Sequence, residues 1–559
     1  MSTGDVITRV YGGFRGVDFR GEEINIVRSP DSLNVWKDYR ETESIRTRPG
    51  MELKVDFPAT VYGIFFYKEL YMVHSGKNLY TVTSGGKKNI VYSGLKEASS
   101  EAFVYEDVWY FKDGAHYLQY DGTTIKEVEG YVPTTSIARK PGGGGTTYED
   151  VNMLTGRRVN TFLADGGSFD FHLDAQNIDS DYPPIVKVND TVVSSGYTVD
   201  YAQGVIKFSK APDAPKTDGQ DNVSVEFRKT VTRYRDSILG CTLLQVFDNR
   251  VFFSGNPNYP NVVWHCSLDD PSYVSDLDYY REGMDSAEVK GMVAGNNALW
   301  VFREPSDANT NVFYHTPTID DEYGKIYPSS HSSVSIGCVG KAINFNDDIV
   351  FFSDRGMEGV SGDITTEQMA AHRSSLVDRK MIAEPNYKDM ILAEWDGYLF
   401  VFIGDKAYLA DSRATFSNEN HMEYEWYFWD MEKRITSARV KNGVLYLGTD
   451  DGVYTLTDNE CHMESYWVTP KDKCKYPNKL KTTNKKGCVA EATGDIEVYA
   501  KVEDSGFELI GRYENVTDYF VSRVKRKKWK DIQLKFYSDT RFSLETVTLE
   551  CVVGGYIKR

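Results

Sequence analysis

Residues 243–255 read LLQVFDNRVFFSG. Apolar residues fill the runs on either side of a polar Asp248-Asn249 step, and aromatic and β-branched types dominate both. Two such runs separated by two turn-forming residues spell a β-hairpin. The pattern recurs in GIFFYKELYMVHS (63–75), AFVYEDVWYFKD (102–113), GMVAGNNALWVFR (291–303), AINFNDDIVFFSD (342–354), LAEWDGYLFVFIG (392–404) and ARVKNGVLYLGTD (438–450). Its turns begin at Lys68, Glu106, Asp248, Asn296, Asp347, Asp396 and Asn442, at intervals of 38, 142, 48, 51, 49 and 46 residues. Self-similarity every ~40–50 residues with several strands per unit is the signature of a β-propeller. Second hairpins in FKDGAHYLQY (111–120) and GTDDGVYTL (448–456) fit four-stranded blades, six or seven in number.

The long interval marks an insertion. Removing residues 150–233 shortens it from 142 to 58. Seven short alternating runs lie inside, among them GYTVDYAQGVIKFSKAP (196–212), a hairpin turning at Gly204. They predict a small β-sandwich. PGGGG (141–145) has neither the lysine nor the helix start of a phosphate cradle and reads as a flexible hinge. After residue 459 come further alternating runs, IEVYAKVED, FELIGRYE, DIQLKFYS and VTLECVVGGYI, which predict a C-terminal β domain. The expected division is therefore an arm at 1–60 whose strands complete the propeller, propeller at 61–149, insert at 150–233, propeller at 234–458, and a sandwich-like domain at 459–559. One stretch is nearest to helical, TTEQMAAHRSSLVDRKMIAE (365–384).

The chain has 559 residues and a formal net charge of −18, which argues against a general nucleic-acid binder. Seven cysteines, an odd number at irregular spacing, suit a reducing compartment at folding and leave room for one or two disulfides. No apolar run reaches the ~18 residues a membrane helix needs, and MSTGDVITRVYGG has no apolar signal core.

Chemistry is hard to find. Asp18, Asp396 and Asp411 are the acids a glycan-cleaving propeller would need to pair, but they fall in turns or at strand ends where Asp serves geometry. Cys461-His462 with Cys474 and Cys488 contains no CxxC pair, and GTDDG lacks the ligand order of an EF-hand. SSHSSVS (329–335) reads as a polar loop, and the Asn-x-Ser/Thr matches at Asn189, Asn222 and Asn515 have no secretory route to act on. The expectation is a protein without catalytic residues, cofactor or metal. One run stands out, RVKRKKWK: Arg523, Lys525, Arg526, Lys527, Lys528, Trp529 and Lys530. Such a run is a solvated strand edge, a surface for an acidic partner, or a grip on nucleic acid through phosphate contacts and Trp529 stacking.

Both chain ends carry a resemblance. The paired glycine at 12–13, Ser29-Pro30-Asp31, Asn34 and Arg48-Pro49-Gly50 resemble the start of tailed-bacteriophage virion proteins. The order VND…GYTVDY…GVIKF…AP is similar to small sandwich modules of phage structural proteins, and KDIQLKFYSDTRFSLETVTLECVVGGYIKR is similar to endings in the same class. The nearest functional family is the packaged-DNA stabilization protein, or tail hub, of short-tailed phages. The resemblance implies a homo-oligomeric ring, six copies in that family, assembled in the host cytoplasm and carried in the virion tail. It would sit beneath the portal and its adaptor, dock other tail proteins, and pass DNA through an acidic channel as cargo. A baseplate or tail-tip receptor-binding protein fits the same patterns, and a propeller glycan hydrolase is the enzymatic alternative.

Overall fold

The structure is a computed structural model, and it describes residues 5–21, 24–40, 44–321, 324–361, 369–418, 421–459, 462–524 and 528–557. The chain is all-β and its repeated sheets are those of a β-propeller. Helix among the described residues is confined to short turns such as Tyr234–Leu239 and Asp378–Met381. The latter is the whole α-helical content of the described part of 365–384, because Met369–His372 is a strand; residues 365–368 lie outside the described residues.

The chain forms two compact units, one of residues 1–90 and 332–559, the other of residues 91–331. The first holds four blades. Three are simple meanders, beginning at Val61–Tyr67, Ala342–Phe345 and Ile391–Trp395. The fourth joins Ser437–Lys441, Val444–Gly448 and Gly452–Thr457 to the distant strand Gly50–Asp56, which pairs along Gly452–Thr457 from Gly50–Thr457 to Asp56–Gly452. The second unit holds three more blades, beginning at Glu101–Tyr105, Leu243–Phe247 and Val289–Gly295. Within each unit the innermost strands of successive blades touch, Val61–Tyr67 with Ser437–Lys441 with Ile391–Trp395, and Glu101–Tyr105 with Leu243–Phe247 with Val289–Gly295. That is how propeller blades pack.

The turns explain why these residues make these sheets. A two-residue hairpin of type I′ needs positive φ at both central positions, which Asn, Asp and Gly tolerate best. Asp248-Asn249 takes φ of 51° and 58°, Asn296-Asn297 52° and 58°, Asp396-Gly397 49° and 72°, and Asn442-Gly443 50° and 75°. In the blade at 342–372 the turn is Asn346-Asp347, one residue earlier than the spacing suggests. The strands they join then bury almost every residue, as in Tyr398–Ile403 and Ala298–Arg303. Such strands are sandwiched between neighbouring sheets.

The insert begins earlier than residue 150. Its larger sheet runs in the order Thr146–Thr147, Thr134–Arg139, Arg157–Phe162, Val223–Arg228, Ile185–Val188, Thr191–Val193. A three-stranded sheet of Asp170–His172, Val205–Phe208 and Tyr197–Asp200 packs on it through Phe162, Phe171, Val186, Ile206, Val225 and Phe227. PGGGG is therefore a turn inside the sandwich, tied by the Gly143 N–H to the Lys140 carbonyl at 2.9 Å, and not a hinge ahead of it.

The first 60 residues do not all serve the propeller. Among the described residues only Gly50–Asp56 enters a blade. Val6–Gly12 pairs residue for residue with the last long strand, Phe542–Tyr556, and Ile45–Thr47 pairs with that strand further along. Both chain ends thus share one nine-stranded sheet with Lys479–Val502 and Ile532–Ser538.

A buried knot fastens this sheet to the blade at 391–430. The Asn34 Oδ1 accepts hydrogen bonds from Arg48 Nε at 3.0 Å and from the Asp430 N–H at 2.8 Å. Its Nδ2 donates to the Glu464 carbonyl at 2.8 Å. Arg48, 1% exposed, also donates to the carbonyls of Pro49 (2.7 Å) and Asp430 (2.6 Å). Ser29 Oγ donates to the Val468 carbonyl at 2.7 Å. Around the knot Trp36 packs against Trp395, Tyr398 and Trp429, and Phe14 against Trp467.

Candidate functional site

The basic run links strand Tyr519–Ser522 to strand Ile532–Ser538. Arg523, Lys528 and Lys530 are exposed; Lys525, Arg526 and Lys527 lie outside the described residues. Trp529 is fully buried, so of the three readings of the run the nucleic-acid grip loses its stacking platform. It exchanges backbone hydrogen bonds with Lys481 at 2.8 and 3.0 Å, and its indole N–H donates to Thr483 Oγ1 at 3.3 Å. The alternation of an extended segment turns Trp529 inward and its two lysine neighbours outward. Beneath it lies a cation that the sequence did not single out. Lys481 is buried, and its ammonium donates to the carbonyls of Tyr476 (2.7 Å), Lys479 (2.9 Å) and Lys530 (2.5 Å). Burial pulls its pKa below the usual lysine value. The surface part of the run is a patch of cations; the aromatic belongs to the core.

The candidate acids are each engaged by a protein donor or a turn. Asp18 takes a two-pronged contact from Arg20 at 3.0 and 2.8 Å. Asp411 accepts the Tyr39 hydroxyl at 2.7 Å and the Arg413 N–H at 3.0 Å. Asp396 holds its left-handed turn position. Glu425, buried nearby, is forked by Arg28 at 2.8 and 2.7 Å. Asp451 of the GTDDG turn is occupied by Thr449 (2.7 Å) and Lys433 (2.8 Å). These pairs secure local structure. Among the described residues no group of three or more His, Cys, Asp or Glu could hold a metal ion, and Cys461 lies outside them.

Two histidine clusters were invisible in the sequence because their members, 6 to 33 residues apart, follow no motif spacing. In the first unit His372 Nδ1 faces Glu358 Oε1 at 3.1 Å and Nε2 faces Asp378 Oδ2 at 2.6 Å. With a carboxylate on each nitrogen the ring is an imidazolium. Burial opposes that charge, but the hydrogen bonds to Asp378 and Glu358 outweigh it and raise the pKa to about 10. Ser374 Oγ donates to Asp378 Oδ1 at 2.6 Å and accepts the Met357 N–H at 2.7 Å. Serine, histidine and aspartate are thus together but wired for structure, since the histidine does not reach the serine as a base must. In the second unit the fully buried His315 sits between Glu282 Oε1 (2.9 Å) and the Tyr327 carbonyl (2.8 Å). Ser329 donates to the other oxygen of Glu282 at 2.6 Å. SSHSSVS therefore supplies a blade's outer strand, Ser329–His331, as well as loop.

A cavity of about 560 Å³ opens between two neighbouring blades of the first unit. Ile64, Val73, Val82 and Val453 line it, with Tyr71 and Tyr446 joined hydroxyl to hydroxyl at 3.2 Å. Lys54, Thr83, Ser84 and Thr455 also line it, so its wall is mixed, and no Asp or Glu is among the lining residues.

No family model and no curated protein matches the chain. Solved structures do. BamB from Moraxella catarrhalis is 9% identical over 74% of this chain and 97% of its own, with a TM-score of 0.31. The N-terminal domain of Nup159 is 8% identical over 82% and 96%, with a TM-score of 0.31. The dihydro-heme d1 dehydrogenase NirN, in complex with DHE, is 9% identical over 84% and 80%, with a TM-score of 0.32. Likenesses this distant carry nothing about activity or partners.

Two tests follow from the geometry. Trp529→Ala removes a buried aromatic and should cost about 3–5 kcal/mol of unfolding free energy in urea. The double variant Lys528→Glu, Lys530→Glu should stay within about 0.5 kcal/mol of the parent yet bind a heparin column less tightly. The reverse pattern would place Trp529 at the surface. For His372, the folded pKa stands above the ordinary value of about 6.5. Its stabilisation is then complete below that value and fades as pH rises toward about 10. The gap in urea midpoint between the parent and His372→Gln should be widest at pH 6 and shrink steadily to pH 10; a constant gap would mean an uncharged ring.

Proposed function

We propose that the chain is a non-enzymatic virion protein of a phage tail machine, a hub or connector component that docks neighbouring tail proteins and helps retain packaged DNA. One observation supports this most. The terminal segments that carry the phage resemblance are a single physical element. Val6–Gly12 and Ile45–Thr47 pair with Phe542–Tyr556, and Ser29, Asn34 and Arg48 of the N-terminal pattern tie strand Ser465–Val468 and its entry to the blade at Asp430. Two of the three stretches that carry the resemblance thus meet in one structural joint, which suits a building block. The clusters around His372 and His315 support the same reading, because the histidine nitrogens are spent on neighbouring carboxylates and a carbonyl. The portal and adaptor on one side, further tail proteins on the other, and additional copies of the chain are the partners this role requires.

Electron microscopy of virions carrying a gold-labelled antibody to this chain tests the proposal. Label at the neck supports the hub; label at the distal tip would instead make it a baseplate or receptor-binding protein. Turnover of any member of a panel of bacterial surface polysaccharides would overturn the non-enzymatic reading.

A further inference from the structure

A thiol of the nine-stranded sheet faces a second thiol in the loop that precedes Lys479–Val502. Opposite residues of antiparallel strands project to the same face, and that face alternates along each strand. Ile7 stands opposite Cys551, Arg9 opposite Leu549 and Tyr11 opposite Val547. Arg9 Nε and the Tyr11 hydroxyl both donate to Asp472 Oδ2, at 2.6 and 2.9 Å. The other oxygen of Asp472 accepts the Cys474 N–H at 2.6 Å. Cys551 therefore points to the face on which Cys474 is held, and both thiols are buried in the same apolar cluster. There the side chains of Cys474 and Cys551 interact with each other directly.

We propose that Cys474 and Cys551 are a disulfide-forming pair, reduced when the chain folds and cross-linked on exposure to an oxidant. In this step each thiol loses its proton and the pair loses two electrons as the S–S bond forms. A low-molecular-weight disulfide accepts both electrons and leaves as two thiols. The Cys474 hydrogen bond, ahead of the opposing effect of burial, holds Cys551 below the usual thiol range, and the neighbouring Lys481 ammonium acts in the same direction. Either thiolate can attack the disulfide of the oxidant, and the other thiol then closes the bond. The bond would tie the last long strand to the loop that precedes Lys479–Val502. A closed loop this long restricts the unfolded chain and raises stability. Passage from a reducing cytoplasm to an oxidising medium rests on the proposed virion role; the cross-link itself does not.

The test uses the full chain in glutathione buffers from fully reduced to fully oxidised, read by non-reducing peptide mapping and thermal melting. The expected result is a single Cys474–Cys551 cross-link under oxidising conditions, with a melting midpoint several degrees above that of the reduced protein. Cys474→Ser and Cys551→Ser should each abolish that difference. Three results would overturn the proposal: no cross-link in the wild-type chain, a link through the neighbouring buried Cys488, or a stable mixed disulfide with glutathione. A correct cross-link without a rise in midpoint would overturn the stapling role. The wild-type measurements decide even where a serine variant fails to fold.

Discussion

A guanidinium buried away from water must find acceptors, since leaving a charged donor unpaired costs several kcal/mol. Arg48 meets that demand with the Asn34 side chain and the carbonyls of Pro49 and Asp430. Asn34 in turn satisfies Glu464 and the Asp430 N–H. The two residues lie fourteen positions apart, yet they bring together the N-terminal segment, the blade at 391–430 and the C-terminal sheet. Asn34 does this in the left-handed region, φ 55°, which Asn tolerates better than most residues. The route of the first fifty residues follows. They cross the C-terminal sheet, pass through the knot, and only then supply the strand that completes a blade.

This routing has a mechanical consequence. The blade strand Gly50–Asp56 pairs with Gly452–Thr457, and Val6–Gly12 pairs with Phe542–Tyr556, so two separate pairings join the start of the chain to its C-terminal part. The first unit is therefore braced twice. Buried ion pairs add directional contacts to the same region, Arg28 with Glu425 and Arg9 with Asp472. Pairs of this kind give little net stability over apolar packing, but they penalise any arrangement that separates them.

Much of the propeller was legible because its hairpin turns need particular backbone angles. Asp248-Asn249, Asn296-Asn297 and Asn442-Gly443 announce positive φ in the sequence, and the apolar runs beside them announce burial on both faces. The insert's edge was less legible. Thr134–Arg139 joins it by parallel pairing with Arg157–Phe162, a contact that local alternation does not encode, and the glycines at 142–145 looked like a linker because composition alone does not show hydrogen bonding. Trp529 misled for a related reason: in a run of cations it looked exposed, while its strand position turned it inward. His372 with Glu358 and Asp378, and His315 with Glu282, depend on folding to assemble. Asn34 and Arg48 stood in the resemblance pattern, but the bond between them was not readable from turn chemistry.

Hydrogen exchange on the Asn34→Leu variant, followed by mass spectrometry, tests this account most directly. If the knot unites the three elements, amides in 6–12, 426–430, 465–468 and 542–552 lose protection together, while the blade at 342–361 keeps its own. Loss confined to the few residues beside position 34 would contradict it, and the termini and blade would then be held together by apolar packing alone.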